Sequence, residues 1–370
     1  MKKILAALLI LASLVFTFAC SDSEQYYEPV ESTEEEKRVV MTFFLDGKSY
    51  DVKYELYRSL FLNFSEQYDN GDKSFWDSEA SADALNEINE KIISFAADIY
   101  STLHLSQRIG FDPYSSDVDT QIKDYIKKSV DGYADEDESF IGFGGDYNAY
   151  LLHLKSLNIN YSVQELLIRY EIARSAITMH YTGTIDSENP SEDMEGGALQ
   201  YSEADVKSFY DSDSCVRVLL TELDSKSFSS SRAEEIREKI SSFSDTQDVK
   251  NYIVSFTATT ESDAFSGVLI GSNSLDSAYY GEMTKAAFAL SYMQTSEVIP
   301  VVTDRGSYYY ILYKVDKNDE HYYENYSDVL NVYIRNEIGK IFSSVKSEFS
   351  NAITYTEIFN TIKHSEISMS

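Results

Sequence analysis

Apolar residues recur at helical spacing along much of the first half of the chain. In the clearest case they fall every three or four positions, at Leu85, Ile88, Ile92, Phe95, Ile99 and Leu103. A stripe of this kind covers one side of an α-helix and packs that side against a core. Shorter versions of the pattern predict helices near residues 56–64, 114–131, 144–156 and 162–179. The first half of the chain is therefore expected to be mainly helical.

Three short segments have the spacing of helix starts. Ser162–Glu165 and Ser231–Glu234 match the capping box, in which a serine and an acid three residues later bond to each other's backbone amides. Ser202–Asp205 has the same spacing, so we expect it to begin a further short helix ending near residue 210.

Strand-like patterns are concentrated after residue 212. The expected strands are 39–45, 216–223, 255–259, 298–303, 308–315 and 353–358. The first of them ends at Asp46-Gly47, a strong turn signal, after which the chain is expected to lead into the helix near residue 56. Short helices are expected near 231–243 and 281–290, and a long one over 322–349. The fold class expected is α+β.

The order of these elements suggests a split domain. A helical domain over 39–211 would be interrupted by a compact α+β block over 212–316 and completed by 317–370. Chain ends that lie close together in space make such an insertion tolerable.

The N-terminus has the features of an export signal. Two lysines precede a largely apolar run of 16 residues, Ile4–Ala19, which is shorter than the roughly 20 residues of a membrane-spanning helix. Ala19 followed by Cys20 resembles the lipobox of bacterial lipoproteins. That resemblance implies a signal peptide over 1–19, a lipid on Cys20 and a place on the extracytoplasmic face of a bacterial cell membrane. An ordinary secreted protein and an uncleaved anchor are the alternatives.

Composition narrows the possible partners. The chain carries 31 Lys and Arg against 62 Asp and Glu, and removal of residues 1–19 leaves 29 bases and a net charge of −33. A surface this acidic is repelled by the phosphate backbones of nucleic acids. We therefore expect no nucleic acid as a partner. Residues 20–38 are expected to be an acidic, solvated tether. With Cys20 acylated, Cys215 has no partner for a disulfide.

Taken together, the segments resemble the PrsA/SurA-type extracytoplasmic foldases. In the first half of the chain the resemblance rests on the segment VVMTFFLDGKSYDVKYELYRSLFL. In the inserted block it rests on the segments VRVLLTEL, MTKAAFAL and SEVIPVVTDRGSYYYILYKV. It implies a mainly helical chaperone domain with an inserted parvulin-type peptidyl-prolyl isomerase domain. That domain is expected to be a four-stranded antiparallel sheet flanked by short helices.

The resemblance also implies where an isomerase site would lie. Parvulins are thought to use two histidines and a Cys or Asp, but all five histidines of this chain lie outside 212–316. The histidine positions fall on Leu220 and Tyr308, and the Cys or Asp position falls near Thr259 or Thr260. The residues expected to contact a proline are Leu269, Tyr279 and Met283, with Phe288 behind them and Thr303 before a turn. Alternatively these are core residues, which is the reading we prefer for Phe288.

Three functional hypotheses remain open at this stage. The first is a membrane-anchored foldase that binds unfolded or partly folded exported polypeptides, with isomerase activity weak or lost. The second is an active isomerase that uses Tyr308 and a threonine in place of histidines. The third is a surface lipoprotein that binds one ligand. No cofactor or metal site is expected, because the sequence has no phosphate-binding loop or metal-ligand motif. The oligomeric state is left open.

Overall fold

The computed structural model describes residues 26–69, 71–134, 140–183, 197–255, 267–273, 278–302 and 307–369. The chain divides into two compact units, Met1–Thr178 with Ser344–Ser370, and Met179–Ser343. Helices combine with antiparallel sheets of three and four strands, which confirms the α+β class.

The regular elements can be numbered along the chain. The strands are β1 (Val39–Leu45), β2 (Lys48–Lys53), β3 (Tyr133–Ala134), β4 (Phe140–Ile141), β5 (Cys215–Asp224), β6 (Val268–Gly271), β7 (Ile299–Val302), β8 (Ser307–Val315) and β9 (Ile353–Tyr355). The helices are α1 (Tyr54–Asp69), α2 (Ala82–Arg108), α3 (Ser116–Asp131), α4 (Tyr147–Ser156), α5 (Tyr161–Thr182), α6 (Glu203–Asp211), α7 (Ser230–Ser241), α8 (Thr246–Val254), α9 (Ala278–Ala289), α10 (Asp319–Glu324), α11 (Tyr326–Ser350) and α12 (Glu357–Thr361).

A hairpin opens the first unit. Asp46 and Gly47 have φ angles of 50° and 72°, and two successive positive φ angles form the turn that matches the twist of paired strands. The chain therefore turns back along β1 as β2 before it enters α1. Strand β2 was not predicted from the sequence, because its alternating pattern is short. Tyr50 and Val52 are its only two buried residues, and the other four are exposed.

The end of the chain completes the same sheet. Strand β9 pairs antiparallel with β1, so the strand order is β2-β1-β9. Phe43 lies at the centre of β1, is fully buried, and has Phe349 of α11 5.8 Å from its ring. The two ends of the chain thus build one core.

The second unit contains the four-stranded antiparallel sheet, with strand order β6-β5-β8-β7. Helices α7 and α8 cover one face through Ala233, Ile236 and Val249, and α9 packs on the other face. The unit extends beyond the block expected over 212–316. The unit also includes α6 and α10. Tyr210 of α6 packs against His321 of α10, and their ring centroids are 6.0 Å apart.

The helix starts agree with the sequence in one case of three. Ser202 and Asp205 form the complete capping box of α6. The box expected at Ser162 is wrong, because the Asn160 side chain accepts from the Val163 amide and places Ser162 inside α5. For α7 the capping residue is Ser229, two positions before the expected Ser231. A nearby side chain that also reaches the first free amides displaces the expected cap.

Part of the segment expected to be a solvated tether is held on the first unit. The Tyr26 hydroxyl donates to Asp124 at 2.6 Å, and Arg58 forms an ion pair with Glu36 at 2.5 Å. The earlier part of that segment, the expected signal peptide over 1–19 and Cys20 lie outside the described residues. Within the ranges described, no helix is both long and apolar enough to cross a membrane.

Candidate functional site

The face of the second unit's sheet that packs against α9 is the one on which the sequence places its candidate site. Alternate residues of a strand share a face, and here Val216 and Val218 of β5 meet Leu312 of β8. Met283 and Ala287 of α9 close over them. We call this surface the α9 face.

Leu220 and Tyr308 both pack at the α9 face, but they are not direct neighbours. Leu220 lies opposite Leu312 in the β5–β8 ladder, and Tyr308 lies opposite Asp224, four positions further along. Both are partly exposed. The two positions of the expected histidine pair are therefore on one surface and are separated along the strands.

Between these two positions lies a polar pair that the sequence analysis did not single out. Glu222 lies directly opposite Tyr310, and the Tyr310 hydroxyl donates to the Glu222 carboxylate at 2.7 Å. The Tyr308 and Tyr310 ring centroids are 6.3 Å apart. The signal available in the sequence was the two-residue period of a strand. Glu222 lies two positions after Leu220, and Tyr310 lies two positions after Tyr308, so each shares a strand face with a residue already expected at the site.

The expected proline-contacting residues are not all brought together. Met283 is 3% exposed and belongs to the core of the α9 face, whereas Phe288, expected as core, is only partly buried there. Leu269 lies between Val268 and Ile270, which both pack at the α9 face, so its own side chain points to the opposite face.

Four other expected site residues lie wholly or partly outside the residues that the structure describes. The backbone of Tyr279 lies in the first turn of α9, but its side chain is outside the described residues. Thr303, Thr259 and Thr260 also lie outside them.

The chemistry of the α9 face is that of phenols, a carboxylate and aliphatic groups. None of the side chains described there is an imidazole or a thiol. Cys215 lies on β5 at a position that points away from this face, and burial raises the pKa of its thiol to about 11. The thiol is therefore protonated at neutral pH and is not a ready nucleophile. Nor do the described ranges contain a group of acids, histidines and cysteines able to hold a metal ion.

A second candidate site is a cleft of about 770 Å³ in the first unit. Residues 47–51 and Lys53 line one part of it, and five residues of α5 line another, namely Ser162, Val163, Glu165, Leu166 and Arg169. Its apolar lining comes from Tyr50, Leu56, Tyr100, Tyr114, Val163 and Leu166. We call it the β2–α5 cleft.

Charged groups at the β2–α5 cleft are mostly held in place by partners. The Arg169 guanidinium donates to Asp119 at 2.8 Å and to the Pro113 carbonyl, and it lies 5.2 Å from the ring centre of Tyr114. Tyr114 itself is 48% exposed, so its ring is available at the surface. Burial raises the pKa of Glu165, which makes its carboxyl easier to protonate than an exposed one.

Sequence reasoning did not find this cleft. Its walls come from segments around residues 50, 100, 114 and 165, each of which shows an ordinary helix, strand or loop pattern on its own. The abundance of tyrosine was the available signal, but it does not distinguish a binding surface from a core.

Comparison with known proteins gives structural likenesses only. No protein-family model matches the chain, and no curated protein matches it significantly. The foldase protein PrsA from Streptococcus pneumoniae str. Canada MDR_19A is 16% identical, and the match covers 88% of this chain and 100% of that chain with a TM-score of 0.24. The foldase protein PrsA from Lactococcus lactis is 14% identical, with coverages of 90% and 100% and a TM-score of 0.23. PrsA from Bacillus subtilis is 14% identical, with coverages of 85% and 91% and a TM-score of 0.23.

Proposed function

We propose that this protein is an extracytoplasmic foldase of the chaperone kind. It binds unfolded or partly folded exported polypeptides, and it is held at the outer face of a bacterial cell membrane by a lipid on Cys20. The observation that carries the proposal is the β2–α5 cleft, which is open, lined by aromatic and aliphatic side chains, and of a volume typical of binding sites.

The lining of the cleft suits weak binding of many different chains. Tyr114 offers an exposed ring, and Leu56 and Val163, which line the same cleft, are buried and apolar. Aromatic rings bind apolar side chains without demanding one shape, while the polar rim keeps the empty cleft soluble. The strong negative charge of the whole chain favours encounters with basic segments, and these encounters weaken as salt is added.

Suppression of aggregation tests this proposal. The mature chain is expected to keep a chemically denatured, unrelated protein soluble on dilution, as measured by light scattering. Tyr114→Ala removes the exposed ring without opening a core. About fivefold more of this variant should be needed for equal protection, because tyrosine is enriched among the interface residues whose truncation costs more than about 1 kcal/mol.

Tyr292→Ala is the matched control. Tyr292 is 53% exposed, similar to Tyr114, but it lies in the second unit and outside the cleft. The Tyr292→Ala variant should suppress aggregation as well as the unchanged chain. If the two variants lose protection equally, or if the unchanged chain gives none, the cleft is not the client-binding site.

The inserted module proposed over 212–316 is a parvulin-like domain with weak or no isomerase activity. In this proposal the partly exposed Leu220 and Phe288 form what remains of a proline-binding surface, with Met283 supporting it from the core. Rotation about an X–Pro bond is slow because the barrier is about 20 kcal/mol, and a catalyst must stabilise the twisted amide. The Glu222–Tyr310 pair is already engaged in its own hydrogen bond.

We expect the full chain to give no measurable acceleration in a protease-coupled assay of a proline-containing peptide. A known parvulin serves as the positive control, since it shows that the assay detects catalysis. A clear acceleration that disappears in Tyr308→Phe would instead favour an active isomerase that uses this hydroxyl in place of a histidine.

A further inference from the structure

Strand β2 forms one edge of the first unit's sheet, and the pairing of β1 decides which of its backbone groups are free. The Phe44 amide donates to Ala352 at 2.8 Å, and Val40 accepts from the Thr356 amide at 3.0 Å. From Val40 to Leu45, beyond the register shift that follows Val39, even-numbered residues of β1 therefore bond towards β9 and odd-numbered residues bond towards β2. Leu45 and Phe43 are paired with Lys48 and Tyr50.

It follows that Ser49 and Asp51 direct their backbone groups away from β1. The Asp51 carbonyl accepts from the Tyr100 hydroxyl at 2.8 Å, which agrees with this direction. Over the described ranges, no group meets the N–H or C=O of Ser49 or the N–H of Asp51. These three groups have the alternating donor and acceptor pattern that an added strand requires.

The charged side chains of β2 are those of Lys48, Asp51 and Lys53, and all three residues line the β2–α5 cleft. Edge strands are often protected from pairing by lysines. Here the Lys48 ammonium donates to the Gln107 side chain at 2.6 Å, and that of Lys53 lies 3.9 Å from the Glu55 carboxylate. The Asp51 carboxylate accepts from Thr42 at 2.8 Å. Each charged group is held by a neighbour in its own unit.

The free edge also faces a cavity. Ser49 and Asp51 line the β2–α5 cleft together with Tyr100 and Tyr114. A strand added to β2 would place every second side chain on the same face as Tyr50, towards the apolar lining, and the others beside the exposed Ser49 and Asp51.

We propose that the β2–α5 cleft binds an extended polypeptide segment by adding it as a further strand to the free edge of β2. This inference rests on the proposed function and specifies how a client is held. The occupant is a segment with apolar residues at every second position and no proline at the positions that pair with Ser49 and Asp51. Backbone hydrogen bonds are the same for all sequences, so this mode accepts many unrelated clients.

The probe for the test is a short, fluorescein-labelled peptide of alternating valine and lysine, with binding followed by fluorescence anisotropy. In the proposed register the valines enter the cleft, and each lysine lies opposite Ser49 or Asp51 with its amide directed at β2. Methylation of the lysine amides should weaken binding about tenfold, because the bond donated to the free Ser49 carbonyl is lost and the added methyl groups collide with the edge of β2. Methylation of the valine amides should have little effect.

Two protein variants test the same contact from the other side. Ser49→Pro removes the outward amide but no bond to β1, and we expect about tenfold weaker binding of the unmethylated peptide. Ser49→Ala keeps the amide and should bind like the unchanged chain. In the unchanged chain, peptide should also slow hydrogen exchange at the Ser49 and Asp51 amides, a measurement that does not depend on how Ser49→Pro folds.

The outcomes separate the two levels of the proposal. If the peptide binds but neither methylation pattern matters and exchange at both amides is unchanged, strand addition is wrong while client binding stands. If the unchanged chain neither binds the peptide nor suppresses aggregation, the proposed function of the cleft fails as well.

Discussion

Replacing Arg58 by methionine is expected to destabilise the first unit by about 3–5 kcal/mol, the range found when one partner of a buried ion pair is removed. The Arg58 guanidinium lies 2.5 Å from the Glu36 carboxylate, and their side chains are only 6% and 10% exposed. Methionine fills much of the same volume but leaves the carboxylate buried without its cation. Urea unfolding at neutral pH measures the difference.

The same pair predicts how stability depends on pH. Burial raises the pKa of Glu36, but hydrogen bonds from Thr33 and the Arg58 guanidinium outweigh that effect, so the pKa lies below its ordinary value. A lowered folded-state pKa contributes stability above the unfolded pKa, and this contribution is lost as pH falls through the folded pKa. The Arg58→Met variant should therefore lose less stability on acidification than the unchanged chain.

Arg38→Met is the matched control. Arg38 pairs with Glu35 at 3.0 Å, but these side chains are 47% and 68% exposed. An exposed pair of this kind is worth at most about 1 kcal/mol, so the control should unfold close to the unchanged chain. Equal losses in the two variants would contradict a buried, stabilising pair at Arg58.

In the second unit, Gly339→Ala is expected to lower the free energy of unfolding by about 2 kcal/mol. The steric cost of a methyl group in a close contact is larger than the gain in helix propensity from glycine to alanine. A β-carbon at this position of α11 would lie 1.7 Å from the Asn273 carbonyl oxygen, a backbone atom that cannot move aside cheaply. The Asn273 amide is in turn held by the Asn336 side chain at 2.8 Å. Thermal unfolding should show a lower midpoint for this variant.

Gly281 provides a control of the same chemistry in the same unit. It also lies in a helix, α9, but among the described residues an added β-carbon there meets no atom within 4 Å beyond its chain neighbours and the backbone of its own helix. Gly281→Ala should stabilise the unit by about 0.5–1 kcal/mol, because alanine loses less backbone entropy than glycine. A Gly339→Ala variant that is equally stabilised would show that α11 and the turn after β6 do not approach this closely.

Elements encoded by strong local patterns were predicted well. Strand β1 has the expected bounds, and the turn at Asp46-Gly47 follows from residues that tolerate positive φ. The stripe from Leu85 to Leu103 lies within α2. Each of these patterns depends on neighbours within one or two turns of chain, so the sequence contains the whole signal.

Elements that depend on distant partners were missed. Strand β6 is four residues long, follows Gly267 and ends in Gly271, so its short apolar run Val268–Ile270 is too brief a signal to predict a strand. It forms because β5 offers it a free edge. The expected strand over 255–259 lies largely outside the described residues.

By itself, the sequence determined the helices with long apolar stripes, the β1 turn, the α6 cap and the residues that share a strand face, such as Leu220 with Glu222. All of these follow from bond geometry over a few residues. Only the tertiary structure decided that Tyr310 meets Glu222, that Leu269 points away from Met283, and that the edge of β2 faces a cleft. Those outcomes depend on strand register and on packing between segments about a hundred residues apart, and local patterns contain no information about either.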